Sequence, residues 1–224
     1  MKPSTNTSAN AKRGLFISLD GIDGAGKTTH LQAIQAWFEQ QDLPFVMTRE
    51  PGGTPLGESL RALLLDPATD ISNETECLLM FAARQQHLQD VILPALAQGT
   101  HVISDRFTDA TFAYQGGGRG LPWHQIEALE TWVQAGLQPD LTLLLDVPLE
   151  VSMGRIEKSR EKDRFEQEQA DFFTRVRSAY QQRALAAPAR YALIDAHRDK
   201  AVVSADVVAA VAQLFDHART DAQA

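Results

Sequence analysis

The chain has 224 residues, 44% hydrophobic and 22% charged, which suits one α/β domain with a buried core and not two full domains. Its 21 basic against 29 acidic residues leave a net charge of −8, which excludes a general surface for a nucleic-acid polymer, because counterion release needs a basic face. The single cysteine, Cys77, reads as core, and no Cys/His set has metal-ligand spacing, which favours a reducing, cytoplasmic setting.

Residues 1–13 are rich in Ser, Thr, Asn and Ala and lack an apolar h-region, so they read as a disordered tail and not a signal peptide. No segment reads as a membrane span. Leu15–Leu19 predicts a first strand, and Thr28 to Gln41 a helix with Leu31, Ile34, Trp37 and Phe38 on its core side. Further strands are expected at Phe45–Thr48, His101–Asp105, Leu141–Asp146 and Tyr191–Asp195. Helical patterns fill the gaps at Pro55–Leu65, Glu74–Ala97, Pro122–Ala135, Val151–Ile156, Gln167–Leu185 and Ala201–His217, the second of which must bend or end near Pro94. This alternation predicts a three-layer αβα domain over 14–218, followed by a C-terminal tail at 219–224. Its sheet is expected to be five-stranded and mostly parallel, with ligands beyond the carboxyl ends of the strands.

Chemistry concentrates after the first strand. Gly21-Ile22-Asp23-Gly24-Ala25-Gly26-Lys27-Thr28-Thr29 satisfies the phosphate-loop pattern between a strand and a helix. Its glycines let backbone N–H groups converge on a β-phosphate, Lys27 reaches the β- and γ-phosphates, and the Thr28 hydroxyl can ligate Mg²⁺. Asp20, Asp105 and Asp146 each end a strand, and one of them is expected to serve the metal. Asp105, followed at once by Arg106, is the natural second acid of a P-loop enzyme. Arg49, Arg61, Arg84 and Arg106 supply guanidinium groups suited to bidentate contact with phosphoryl oxygens. A phosphate acceptor needs no strong general base, because its second pKa near 6 leaves it mostly ionised at neutral pH. None of the six histidines falls in a recognisable motif. The basic run Arg155, Lys158, Arg160, Lys162 and Arg164 reads by itself as a solvated helix face.

Several motifs in order resemble the bacterial thymidylate kinase family from Leu15 to about Phe215. They are the phosphate loop, Thr48-Arg-Glu-Pro-Gly-Gly53, Phe81-Ala-Ala-Arg84, Asp105-Arg-Phe107, Ala113-Tyr-Gln-Gly-Gly-Gly-Arg-Gly120, Pro139-Asp-Leu141 and Asp163-Arg-Phe-Glu166. The resemblance implies a P-loop kinase fold with a short lid at about 154–166, ATP and dTMP as substrates, Mg²⁺ as cofactor and a homodimer. It implies that Lys27 and Thr28 hold ATP·Mg²⁺, that Asp105 organises the metal, and that Arg61 and Arg106 hold the acceptor phosphate. Asp23 would lie near the deoxyribose 3′-hydroxyl and Glu50 would line the same site. Arg84 would meet a thymine carbonyl, Thr111 and Gln115 the other polar edge, and Met80 or Phe81 the ring. With Ala25 in the phosphate loop, the family supplies a catalytic lid arginine, Arg160 or else Arg155. Asp20 departs from the family's usual Glu.

Two other classes compete. A nucleotide-dependent switch would need an Asn-Lys-x-Asp motif, which is absent. A deoxynucleoside or shikimate kinase would keep the fold but leave so many acceptor-side arginines without a reason.

Overall fold

The computed structural model describes residues 13–156 and 163–220. Five strands form one sheet: β1 (Phe16–Asp20), β2 (Phe45–Arg49), β3 (His101–Asp105), β4 (Leu141–Asp146) and β5 (Tyr191–Asp195). Their order is β2-β3-β1-β4-β5, and every pairing is parallel. The central strand β1 is buried at all five residues, and β4 at all but its last. Near-continuous apolar runs of this kind are what a sheet covered on both faces requires.

The helices follow the sequence pattern closely. They are α1 (Lys27–Gln40), α2 (Pro55–Leu65), α3 (Asn73–His87), α4 (Leu93–Ala97), α5 (Thr108–Thr111), α6 (Trp123–Gln134), α7 (Leu149–Ile156), α8 (Ala170–Ala186) and α9 (Lys200–Thr220). The start of α2 is fixed by Thr54, whose hydroxyl accepts the Gly57 N–H at 3.0 Å, with Pro55 in the first turn where its missing N–H costs nothing. The expected bend before Pro94 is a π-helical stretch, Leu88–Ile92, joining α3 to α4. Pro94 cannot donate to the Asp90 carbonyl and its ring crowds it, so the ladder widens there.

The structure adds one helical segment and describes residues beyond the expected domain bounds at both ends. α5 and the π-helical stretch that continues it, Phe112–Gly118, were not legible as helix, since three successive glycines argue against one. They are tolerated because α8 lies against this stretch: a Cβ at Gly118 would come within 2.4 Å of the Phe172 ring. Arg13, assigned to the tail, pairs with Asp140 at 2.6 Å, and α9 runs on through Thr220. The remainder of both tails, 1–12 and 221–224, lies outside the described residues.

Right-handed crossovers put α1 on one face of the sheet and the later connections on the other. Accordingly α1 packs against α9, while α3 packs against α6. α9 is long and apolar enough to cross a membrane by composition, but its stripe of Val203, Val207, Val211 and Phe215 is buried in the core that α1 shares. Because β1 leads to one face and its neighbour β3 to the other, a crevice opens between their carboxyl ends. Both the phosphate loop and Asp105-Arg106 start there.

Candidate active site

The phosphate loop leaves β1 at Gly21 and enters α1 after Gly26, whose φ of +93° is a left-handed conformation that suits glycine. No side chain caps this end of α1, so its first N–H groups face a cleft that Lys27, Thr28, Asp105, Arg106 and Arg155 line. Ala25, within the loop, is buried. Lys27 Nζ folds back to the Gly21 and Ile22 carbonyls, 3.3 Å from each, and lies 3.9 Å from Asp23. Burial, followed by the nearby Arg106 charge, lowers the Lys27 pKa below the usual range. Arg155 reaches from α7 to the Gly24 carbonyl at 3.0 Å, which places a cation directly over the loop. Arg160 lies outside the described residues.

Asp105 ends β3 facing this cleft. Asp20 and Asp146, the other two acids considered for the metal, are committed elsewhere. Asp20 is fully buried and accepts hydrogen bonds from Ser18 and from Tyr180 at 3.2 Å; burial first, then the charge of Asp109, raise its carboxyl to about 7. Asp146 is paired with Arg177 at 2.6 and 2.8 Å.

Arg106 joins the two halves of the site. Its φ of +71° is strained for a non-glycine residue, and the carbonyl is pinned by the Ser104 hydroxyl at 2.7 Å. From this turn Nη1 donates to the Gly21 carbonyl at 2.9 Å and the Tyr180 hydroxyl at 3.0 Å, while Nη2 donates to Asp23 Oδ1 at 2.5 Å and the Tyr114 hydroxyl at 3.0 Å. Tyr114 in turn donates to Asp23 Oδ2 at 2.7 Å. Burial pushes the Asp23 pKa up, but Arg106 and then Lys27 outweigh it and hold the carboxylate ionised.

Beyond Arg106 a second pocket opens, lined by Asp23, Glu50, Arg61, Met80, Arg84 and Arg106, with Thr111 and Gln115 on its far wall. Arg61 is held by the Pro51 carbonyl at 2.9 Å. Arg84 is buried: Nε donates to Glu50 Oε2 at 2.8 Å and Nη2 to Thr111 Oγ1 at 3.0 Å. Gln115 donates its amide to Glu76, a buried carboxylate that also takes Arg164 at 2.6 Å and Arg119 at 3.3 Å. On α3 the pocket wall is Met80. Phe81 points instead into a core cluster with Cys77, Phe112 and Ile126, under the Arg84 guanidinium at 4.7 Å.

Arg49 pairs outward with Glu58 at 2.7 Å. Roles for Tyr114, Tyr180, Glu76 and His87 are absent from the sequence reading. Tyr114 sits inside the Ala113–Gly120 motif, which is a usable signal for it, whereas Tyr180, Glu76 and His87 carry none.

Among the described residues three buried side-chain polar atoms have no hydrogen-bond partner: Arg84 Nη1, Asp105 Oδ1 and Gln138 Oε1. Two of them belong to residues lining the two clefts. Buried polar groups are nearly always satisfied, so such atoms mark positions for a ligand. No three His, Cys, Asp or Glu side chains converge on a metal among the described residues. A cation held by Thr28 and Asp105 would therefore need nucleotide phosphates to complete its shell, which is how Mg²⁺ is usually bound.

A thymidylate kinase family model matches residues 19–207. A thymidylate kinase of Neisseria meningitidis serogroup C is 70% identical over 182 residues, covering 81% of this chain and 88% of that protein. One of Chromobacterium violaceum is 57% identical over 209 residues, covering 93% and 99%. Among solved structures, a thymidylate kinase from Ehrlichia chaffeensis aligns with a TM-score of 0.71 at 34% identity, covering 89% of this chain and 98% of that one. With the phosphate loop, the acceptor-side arginines and these likenesses in agreement, the chain belongs to the thymidylate kinase family.

Proposed function

We propose that the two clefts together move the γ-phosphoryl group of ATP to dTMP, giving dTDP and ADP for dTTP and DNA synthesis. The observation that carries this reading is the pair of unpartnered buried atoms, Asp105 Oδ1 in the donor cleft and Arg84 Nη1 in the acceptor pocket. The first suits a cation and the second a neutral carbonyl. Family membership supports ATP as the donor and dTMP as the acceptor.

In this reading the loop N–H groups and Lys27 bind the donor phosphates, with Gly21, Asp23, Gly24, Ala25, Gly26, Thr28 and Thr29 shaping the cradle. Mg²⁺, held by Thr28 and Asp105, supplies charge neutralisation when bound. Arg106 and Arg61 hold the acceptor monophosphate, which requires Arg106 to exchange part of its contact with Asp23 for phosphoryl oxygens. A lid arginine, Arg160 or Arg155, offsets charge developing between the two phosphates; the Arg155 contact with Gly24 supports the second. Met80 covers the base while Thr111 and Gln115 meet its polar edge. Homodimer formation is part of the proposal, and large apolar side chains exposed on α2, α3 and α6 (Leu63, Leu78 and Trp132) support it. A free, buried Cys77 is in keeping with a cytoplasmic setting.

The test is ATP consumption with dTMP, dCMP, thymidine, shikimate or no acceptor. The proposal expects dTMP to dominate. Equal turnover without acceptor would point to a hydrolysing switch, and preference for thymidine or shikimate to a different small-acceptor kinase.

A further inference from the structure

His87 is fully buried and lines neither cleft. Its Nδ1 lies 2.9 Å from Glu50 Oε1 and its Nε2 lies 2.6 Å from Thr48 Oγ1. Burial raises the Glu50 pKa, yet the charge of Arg84 and the hydrogen bond from His87 hold it below the ordinary range. Glu50 is thus a carboxylate that can only accept, so Nδ1 carries the proton and donates. Nε2 pairs with the Thr48 hydroxyl, so both ring nitrogens have partners. The second carboxylate oxygen, Oε2, takes Arg84 Nε. A chain Thr48–His87–Glu50–Arg84 therefore ends on a guanidinium whose Nη1 is buried without a partner. The glycine turn seals it: a Cβ at Gly53 would lie 2.6 Å from Thr48 Oγ1 and 2.7 Å from His87 Nε2.

We propose that His87 is a positioning residue for selection of the acceptor base, acting by fixing the Glu50 carboxylate and through it the rotation of Arg84. Without the Nδ1 hydrogen bond, Glu50 is free to engage Arg84 through both oxygens, the bidentate geometry that guanidinium–carboxylate pairs favour. That rotation draws a second guanidinium nitrogen onto Glu50 and away from the carbonyl that thymine carries where cytosine has an amine. The inference rests on the reading that Arg84 meets the base.

The experiment compares kcat, KM and Tm for wild type, His87→Asn, His87→Gln and Arg84→Met, with dTMP and dCMP as acceptors. An Asn amide reaches the place of Nδ1 and keeps the bond to Glu50, whereas a Gln amide reaches the place of Nε2. His87→Gln should raise the KM for dTMP and lower the dTMP-to-dCMP ratio of kcat/KM by roughly tenfold, with kcat within about twofold, while His87→Asn keeps the ratio within about threefold of wild type. If both variants lower Tm and leave the ratio intact, or if Asn loses as much selectivity as Gln, His87 only fills space and the proposal falls. Should His87→Gln fail to fold, His87→Met decides instead: it fills the space without a donor for Glu50 and should lower the ratio, and an unchanged ratio overturns the proposal. Arg84→Met separates the two readings. An unchanged ratio there removes the base contact itself, whereas a collapsed ratio beside a normal His87→Gln variant removes only the role of His87.

Discussion

The donor cleft and the acceptor pocket sit side by side at the carboxyl ends of β1 and β3, but they are built from different materials. The donor cleft centres on one continuous stretch, Asp23 to Thr29, at the start of one helix, with Asp105, Arg106 and Arg155 around it. The acceptor pocket is made of side chains: Glu50 follows β2, Arg61 comes from α2, Met80 and Arg84 from α3, and Thr111 and Gln115 from α5 and its π-helical continuation. Backbone N–H groups suit any phosphate, whereas a gathered set of buried, mutually paired side chains can distinguish one base from another. On the proposed reading, rate and selection reside in separable groups, joined at Arg106.

The largest effect expected from breaking the donor side is that of Lys27→Met, which should fold normally and lose about 10³-fold or more in kcat. Coupled measurement of ADP release checks it, and near-normal turnover would remove the loop from the chemistry. Asp105→Asn should cost about 10²-fold and shift the Mg²⁺ concentration needed for half-maximal rate upward, since one charged ligand is lost. Arg106→Ala, at the junction, should damage both sides, lowering kcat and raising the KM for dTMP, with kcat/KM down by about 10²-fold. A change confined to KM for ATP would contradict its place between the clefts.

The smallest effect concerns the floor beneath Arg106. Asp20 has a folded-state pKa of about 7, well above the unfolded carboxyl, so the unfolded chain releases this proton first. The stability gained by keeping it neutral is present below about pH 4 and is lost as pH rises through about 7. Asp20→Asn stays neutral throughout. Its unfolding free energy should gain on wild type by a few kcal/mol between about pH 4 and 7 and run parallel above that. Urea unfolding at pH 5 and pH 8 reads the difference, and parallel stabilities across that range would contradict a neutral buried Asp20.

The same contrast explains what could be read from the chain. All five strands and the phosphate loop follow from local pattern, because a parallel core strand is an apolar run and a phosphate cradle is a contiguous motif. α5 and its continuation were hidden because Gly116 to Gly118 are helix breakers locally and become tolerable only when α8 and Trp123 press against them. Phe81 and Met80 were indistinguishable because both offsets share a helix face with Arg84, and only the packing of α3 on α6 sends Phe81 inward. Glu76 and His87 carried no motif at all. Their roles come from partners 39 and 37 residues away, Gln115 and Glu50, a separation that periodicity does not report.

The division of labour between the clefts is tested most directly by one quantity, the dTMP-to-dCMP ratio of kcat/KM, measured on Lys27→Met and Arg84→Met. The structure predicts that Lys27→Met slows both acceptors by a common factor and leaves the ratio within about threefold of wild type, while Arg84→Met lowers it by about tenfold or more. A ratio that collapses in Lys27→Met, or that survives in Arg84→Met, would contradict the assignment of rate to the loop and selection to the pocket.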